Sequence, residues 1–252
     1  MPSVPVKLII NADDFGLSKG ICRGIIDAHE AGVVTSTSLM ANIAGHNESE
    51  MLCHVPNLGV GIHLNLTRGP AVSTGDLGLL VDAGRNFVYE HRQGFDDVDE
   101  EHIRRELHAQ VEKALDTGLP NIDHLDSHHH IHRHRFVFDT MKDLAVEKGL
   151  ACRASDPWMA DELRDAGVWR NDFFVENFFG LGNITVENLI NIMNSLKNGV
   201  TELMCHPGYA DETLKLPSGY VQERPLELKT LTNPMILSAI TSKGVELIRF
   251  GE

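Results

Sequence analysis

The sequence predicts an α/β fold, a distorted (β/α) barrel with seven or eight strands of the kind that carries chemistry at one rim. Short apolar, β-branched runs alternate along the chain with segments of helical periodicity, which argues a parallel sheet with right-handed crossovers. Asp13, Asp14, His63, His128, Arg153 and His206 fall at or just beyond the carboxyl ends of such runs, on five separate strands. That is the rim where a βα barrel collects its active site. An open doubly wound sheet would also place ligands there, but the chain has no Gly-x-Gly-x-x-Gly turn to support a dinucleotide.

At 252 residues the chain can bury about three quarters of its unfolded surface, and residues 1–252 are expected to form a single domain. With 42% hydrophobic and 23% charged residues, the composition is that of a globular protein. A formal net charge of -14 without a concentrated basic face argues against a nucleic-acid partner. No run approaches the ~18 apolar residues of a membrane span, and no leader pattern precedes Val4, so a cytoplasmic protein with no membrane partner is expected. Cys22, Cys53, Cys152 and Cys205 form no Cys-x-x-Cys pair, which excludes a thiolate zinc knuckle or redox motif and fits a reduced compartment.

Val6 to Ile10 reads as a buried strand running into Asn11-Ala12-Asp13-Asp14-Phe15-Gly16, with two adjacent carboxylates at its end. Ser18 as N-cap, the stripe Ile21, Cys22, Ile25, Ile26 and the stop at Gly32 predict a helix. Val33 to Met40 is a β-branched strand, a weaker helix covers His46 to His54, and Leu58 to His63 is a strand ending in imidazole. Asn65 to Asp97 shows no period, and a connection so long in a compact domain suggests a lid over a site. Ile103, Leu107, Val111 and Leu115 mark a helix whose acidic start suits its N-terminus. A short strand, Ile122 to Leu125, follows, then the histidine cluster, then a helix through Phe138, Met141, Leu144 and Ala145 to Gly149. Leu150 to Arg153 is a strand ending in a cation, and Ser155 to Asn183 is ambiguous. A helix from Thr185 to Gly199, a strand Val200 to Cys205, a loop near Asp211 to Tyr220, a helix from Asn233-Pro234 to Gly244 and a strand Val245 to Arg249 complete the chain.

Six of the 14 histidines lie between His124 and His134, beside a carboxylate, and neutral imidazole is the commonest protein metal ligand. One ion takes about four to six donors, so most of the cluster must lie outside the coordination sphere. One carboxylate and two imidazoles from separate strands would leave positions open on a single divalent ion for water and substrate. Such an ion lowers the pKa of its water and polarises a carbonyl, a second carboxylate can act as base, and a histidine opposite can protonate a leaving amine. Zinc or another transition metal suits two imidazoles. The competing readings are a metal-dependent phosphoesterase, which normally needs two or three ions, and a non-enzymatic His-rich metal-binding protein, which leaves Asp13, His63 and His206 unexplained.

Asn11-Ala12-Asp13-Asp14-Phe15-Gly16, Thr35-Ser36-Thr37, Gly61-Ile62-His63, His124 to His132 and Met204-Cys205-His206-Pro207 resemble the successive motifs of the YdjC-like carbohydrate deacetylases, the chitooligosaccharide deacetylase type. The resemblance implies a distorted βα barrel that removes acetyl groups from N-acetylated sugars by attack of metal-bound water on the amide, commonly as a homodimer with magnesium. Carried over by position, it implies Asp14, His63 and His128 as metal ligands, Asp13 as general base and His206 as general acid. Related polysaccharide deacetylases take two ligands from a His-x3-His pair, a spacing that His128 and His132 also have; His63 is favoured because it ends its own strand and matches the family. Arg153 is expected beside Asp13, holding it ionised and oriented. The loops from Asn65 to Asp97 and beyond Tyr209 align poorly with the family, so the sugar itself is not specified.

Overall fold

The structure, a computed structural model, describes residues 5–89, 94–211 and 219–252. Strands β1 (Val6–Phe15), β2 (Ser36–Leu39), β3 (Gly59–Leu64), β4 (Ile122–Ser127), β5 (Ala151–Cys152), β6 (Phe173–Val175), β7 (Gly199–Cys205) and β8 (Glu246–Leu247) form one parallel sheet. Its order is β5-β4-β3-β2-β1-β7-β6, with β8 on β1. Val6 to Ala12 pair with β7, while on the opposite edge Lys7 and Leu8 pair with β8 before β2 takes over from Asn11. The sheet curls until its two ends meet at a bridge between Cys152 and Arg170. This is the distorted barrel the sequence predicts.

Helices α1 (Lys19–Glu30), α2 (His46–Cys53), α3 (Glu100–Leu115), α4 (Arg135–Lys148), α5 (Pro157–Asp165), α6 (Val186–Ser195), α7 (Arg224–Leu231) and α8 (Pro234–Ser242) pack outside. Ser18 caps α1 by accepting the Ile21 N–H at 3.2 Å, and Asn233 caps α8 ahead of Pro234. Outward strand residues such as Leu8, Ile10 and Ala12 join the helices in one apolar cluster, and Ile62, Leu64 and Leu125 join a second. Inward residues behave differently. Ile9, Ala151, Ile248 and Phe250 make a small apolar plug at the amino end of the strands, and above it the interior is polar: Asn11, Asp13, Ser38, His63, His124, Asp126, Arg153 and Glu202 are all buried. Gly61 makes room for this layer, since a Cβ there would stand 2.2 Å from His124 Nε2.

Several expectations need correction. The second strand is Ser36–Leu39 rather than Val33 to Met40, the helix α6 stops at Ser195 because Gly199 opens β7, and the last strand is only Glu246–Leu247. The ambiguous stretch contains α5 and β6, and α7 was not anticipated. In its described part, the connection after Asn65 is not a free lid: Leu66, Leu77, Leu80 and Phe87 are buried in the cluster beside α3. Residues 212–218 of the loop expected near Asp211 to Tyr220 lie outside the described residues. Among the described residues no helix is long and apolar enough to cross a membrane.

Candidate metal centre and active site

Asp13 and Asp14 both face one cleft of about 710 Å³ at the carboxyl ends of the strands. Neighbours on a regular strand point to opposite faces. The alternation breaks here because the β1/β2 register shifts between Ala12 and Phe15 and Asp14 takes a left-handed φ of 75°, a bulge that re-aims its side chain inward.

Asp14, His63 and His128 each offer a donor atom, and these lie within 4.8 Å of one another. His63 Nε2 stands 3.6 Å and His128 Nδ1 3.0 Å from Asp14 Oδ1. Asp14 Oδ1 and His128 Nε2 are nonetheless buried without a hydrogen-bond partner among the described residues, so the 3.0 Å approach lacks hydrogen-bond geometry. Converging donors with unused lone pairs in a buried setting fit a divalent ion. His63 Nδ1 meets Asp126 Oδ1 at 2.8 Å, a contact that fixes the ring's tautomer and turns Nε2 toward the proposed ion. Burial alone would lower the His63 pKa, but Asp126, then Asp13, lifts it to about 9 in the metal-free protein. Burial likewise raises Asp14, and Arg224 with His128 overrides it, holding the carboxyl well below the usual range.

Asp13 sits apart from that trio. Arg153 grips it with both arms, Nη1 to Oδ2 at 2.9 Å and Nη2 to Oδ1 at 2.7 Å, while Asn11 Nδ2 donates to Oδ1 at 2.7 Å. Burial and Asp126 push Asp13 up, and Arg153 together with His63 overrides them, so the group stays ionised. Arg153 also touches Asp126 and Glu202 at 2.9 and 2.7 Å, one buried cation among three buried carboxylates. A second donor grouping, Asp13, His63 and Asp126, exists, but Arg153 already occupies its carboxylates. Ser38 donates to Asp126 Oδ2 and accepts from Asn11, each at 2.7 Å, tying the two halves together from below.

His206 lines the same cleft, and burial drives its pKa down to about 4 against the pull of Asp14 and Asp13. Its backbone N–H donates to Glu227, which also accepts the Tyr220 hydroxyl. The remaining histidines are dispersed. His132 uses one ring nitrogen on Ser127 and the other on Ser155, so the His128/His132 pair does not form. His129 and His130 adopt left-handed φ of 55° and 52°, turning the chain around the cleft, and His129 Nδ1 meets Thr67 at 2.9 Å. His124 stacks on Phe250 inside the barrel at 3.8 Å.

The sequence reading missed Asp126, Arg224 and Glu227. Asp126 was legible in principle, two residues from His128 and across from His63 in the β3/β4 register. Arg224, which bonds Asp14 Oδ2 at 2.5 Å, comes from a helix with weak periodicity and carried no local signal.

A family model described as "YdjC-like protein" matches residues 7–242. A carbohydrate deacetylase of Thermoanaerobacter pseudethanolicus is 37% identical over 247 residues, covering 96% of this chain and 97% of the relative. One of Brevibacillus brevis is 38% identical over 252 residues, covering 98% and 99%. Among solved structures, one from Enterococcus faecalis V583 with the provisional name cellobiose-phosphate cleavage protein superposes with a TM-score of 0.87 at 30% identity, covering 97% of each chain. On the strength of a match running from the first strand to the last helix, the chain belongs to the YdjC-like protein family.

Proposed function

We propose that this protein is a carbohydrate deacetylase that hydrolyses the acetamide of an N-acetylated sugar with the help of one divalent ion held by Asp14, His63 and His128. The observation that carries the reading is the separation of roles around the cleft: three converging donors on one side, and beside them an ionised carboxylate that the protein has tied to arginine rather than offered to an ion. Whole-length relatives named carbohydrate deacetylase support the reaction.

An ion bound there supplies Lewis acidity, acidifying water and polarising the acetyl carbonyl. Asp13, fixed by Arg153 and Asn11, is placed to take the proton of the attacking water. His206, on the same cleft and neutral at rest, is placed to pass a proton to the departing amine after taking up the one that Asp13 removes from the water. Asp126 keeps His63 in the tautomer that leaves Nε2 available. By family resemblance the reading extends to magnesium as the ion, to chitin-derived N-acetylglucosamine oligosaccharides as substrates and to a cytoplasmic homodimer. A multi-ion phosphoesterase is disfavoured because Arg153 fills the second donor grouping.

The deciding experiment measures acetate release from a panel of N-acetylated mono- and disaccharides, with and without chelator, alongside elemental analysis. Activity that chelation abolishes and one ion per chain are expected. Release of phosphate from a generic phosphomonoester assayed in parallel, with no acetate from the sugar panel, or two ions per chain, would replace this reading with the phosphoesterase.

A further inference from the structure

The groups assigned to chemistry leave β1, β3, β4 and β7, whereas the loop after β6 supplies none of them and still lines the cleft with Glu176, Phe179 and Gly180. Phe179 is 44% exposed there, although its neighbour Phe178 is fully buried. A large apolar ring left open at the cleft invites a partner.

The ring is also held still. It stacks on Tyr220 with centroids 4.2 Å apart and planes 11° apart. Tyr220 is anchored through its hydroxyl, which donates to Glu227 and accepts the Gly180 N–H at 3.2 Å. The Phe179 carbonyl accepts from Asn183 Nδ2, and the Asn183 N–H closes the turn on the Gly180 carbonyl, both at 2.8 Å. Gly180 makes that turn with φ of 84°, a conformation that penalises any side chain. One face of Phe179 thus lies on Tyr220 and the other is turned outward, already ordered before any ligand arrives.

We propose that Phe179 is the specificity-determining platform of the site, stacking against the apolar face of the pyranose ring that carries the acetamide. This rests on the deacetylase reading and deepens it. The centroids of the Phe179 and His206 rings lie 5.5 Å apart with the planes at 71°, so a sugar on the platform brings its nitrogen beside the proposed proton donor. A pyranose whose substituents are all equatorial presents a face of axial C–H groups to an aromatic ring and a rim of hydroxyls to polar neighbours. Glu176, half exposed at the same loop with its Oε2 held by Arg133 Nη2 at 3.0 Å, presents its carboxylate to such a rim. A peptide amide or a small acetamide has no matching face, which makes the site a reader of gluco-configured rings.

The test uses Phe179→Ala and Phe179→Trp in the metal-loaded protein, with a β-1,4-linked N-acetylglucosamine disaccharide as probe. Because Phe179 is partly exposed, both variants are expected to fold. Phe179→Ala should raise KM and the calorimetric dissociation constant about tenfold or more while kcat moves by about twofold at most, and Phe179→Trp should restore both. Unchanged KM and affinity in Phe179→Ala, with an active parent, would overturn the platform and leave the deacetylase reading intact. Failure of the parent to release acetate from any acetylated sugar overturns that reading, and failure of the parent to bind the disaccharide overturns the platform.

Discussion

Asp13 and Asp14 are adjacent, yet the bulge that turns both inward gives them opposite surroundings: an arginine fork around one, two imidazoles and a guanidinium around the other. Asp13→Asn is expected to bind metal like the parent and to lose roughly 10²- to 10⁴-fold in rate, the usual cost of removing a positioned base. Asp14→Asn should lose metal. Elemental analysis and acetate release on both variants check this, and a metal-free Asp13→Asn beside a loaded, inactive Asp14→Asn would reverse the assignment. His63 gives a prediction in pH. Its pKa of about 9 in the metal-free protein lies above the unfolded value of 6.5, so its stabilising contribution is complete below about pH 6.5 and fades as pH rises through 9. An ion must displace the Nε2 proton, so metal affinity should fall about tenfold per pH unit below 9, with about one proton released per ion near pH 7. Calorimetry in buffers of different ionisation enthalpy would show that proton, and pH-independent affinity between pH 6 and 8 would contradict it.

Each strand of the barrel carries two messages on alternate residues, and the sequence reading recovered one of them. Leu8, Ile9 and Ile10 announced a buried strand and Ile122 to Leu125 a second, short one, but Asp126 and Ser127 were read with the polar cluster beyond its end, although the strand runs on to Ser127 with His124 and Asp126 turned to the interior. Polar interior positions mimic loop composition, which is why the candidate ligands at strand ends were legible and the Asp126, Ser38 and Asn11 network beneath them was not. Helix α5 follows a two-residue strand and α7 lacks a clear apolar stripe, so neither stood out. The connection after β3 misled for a related reason: its order comes from a distant helix. Gln110 on α3 accepts the Asn65 N–H at 2.9 Å and donates to the Asn65 carbonyl at 2.7 Å, and Glu106 accepts the Val72 and Ser73 N–H groups. Gln110→Leu strands both Asn65 backbone groups in a buried setting, an expected loss of about 1–3 kcal/mol. Hydrogen exchange at the Asn65 amide should accelerate while α3 keeps its helicity; unchanged exchange would show that the loop holds itself.

Closure of the whole barrel depends on a seam rather than a full ladder. Between β5 and β6 the backbone contributes the Cys152 N–H to the Trp169 carbonyl, and the Asn171 side chain completes the join by accepting from the Ala154 N–H at 2.8 Å and donating to its carbonyl at 2.9 Å. Arg153 lies in that span, so the seam also sets the fork on Asp13. Asn171→Ala should cost about 1–3 kcal/mol, roughly 2–10 °C in Tm for a chain of this size, and lower kcat more than KM as Arg153 loses its register. Thermal melting and steady-state kinetics check both, and an unshifted Tm would mean that the backbone bridge closes the barrel alone. The opposite side of the molecule has its own asymmetry in time. Strand β1 is synthesised first, but one of its edges waits for Gly199–Cys205 and the start of the other for Glu246–Leu247. At about 5–20 residues per second, a ribosome takes roughly ten to forty seconds to travel from Phe15 to Gly199. Throughout that interval the buried strand β1, with Asp13 and Asp14 near its end, has no completed barrel to enter, and it must be sheltered until Glu246–Leu247 have emerged.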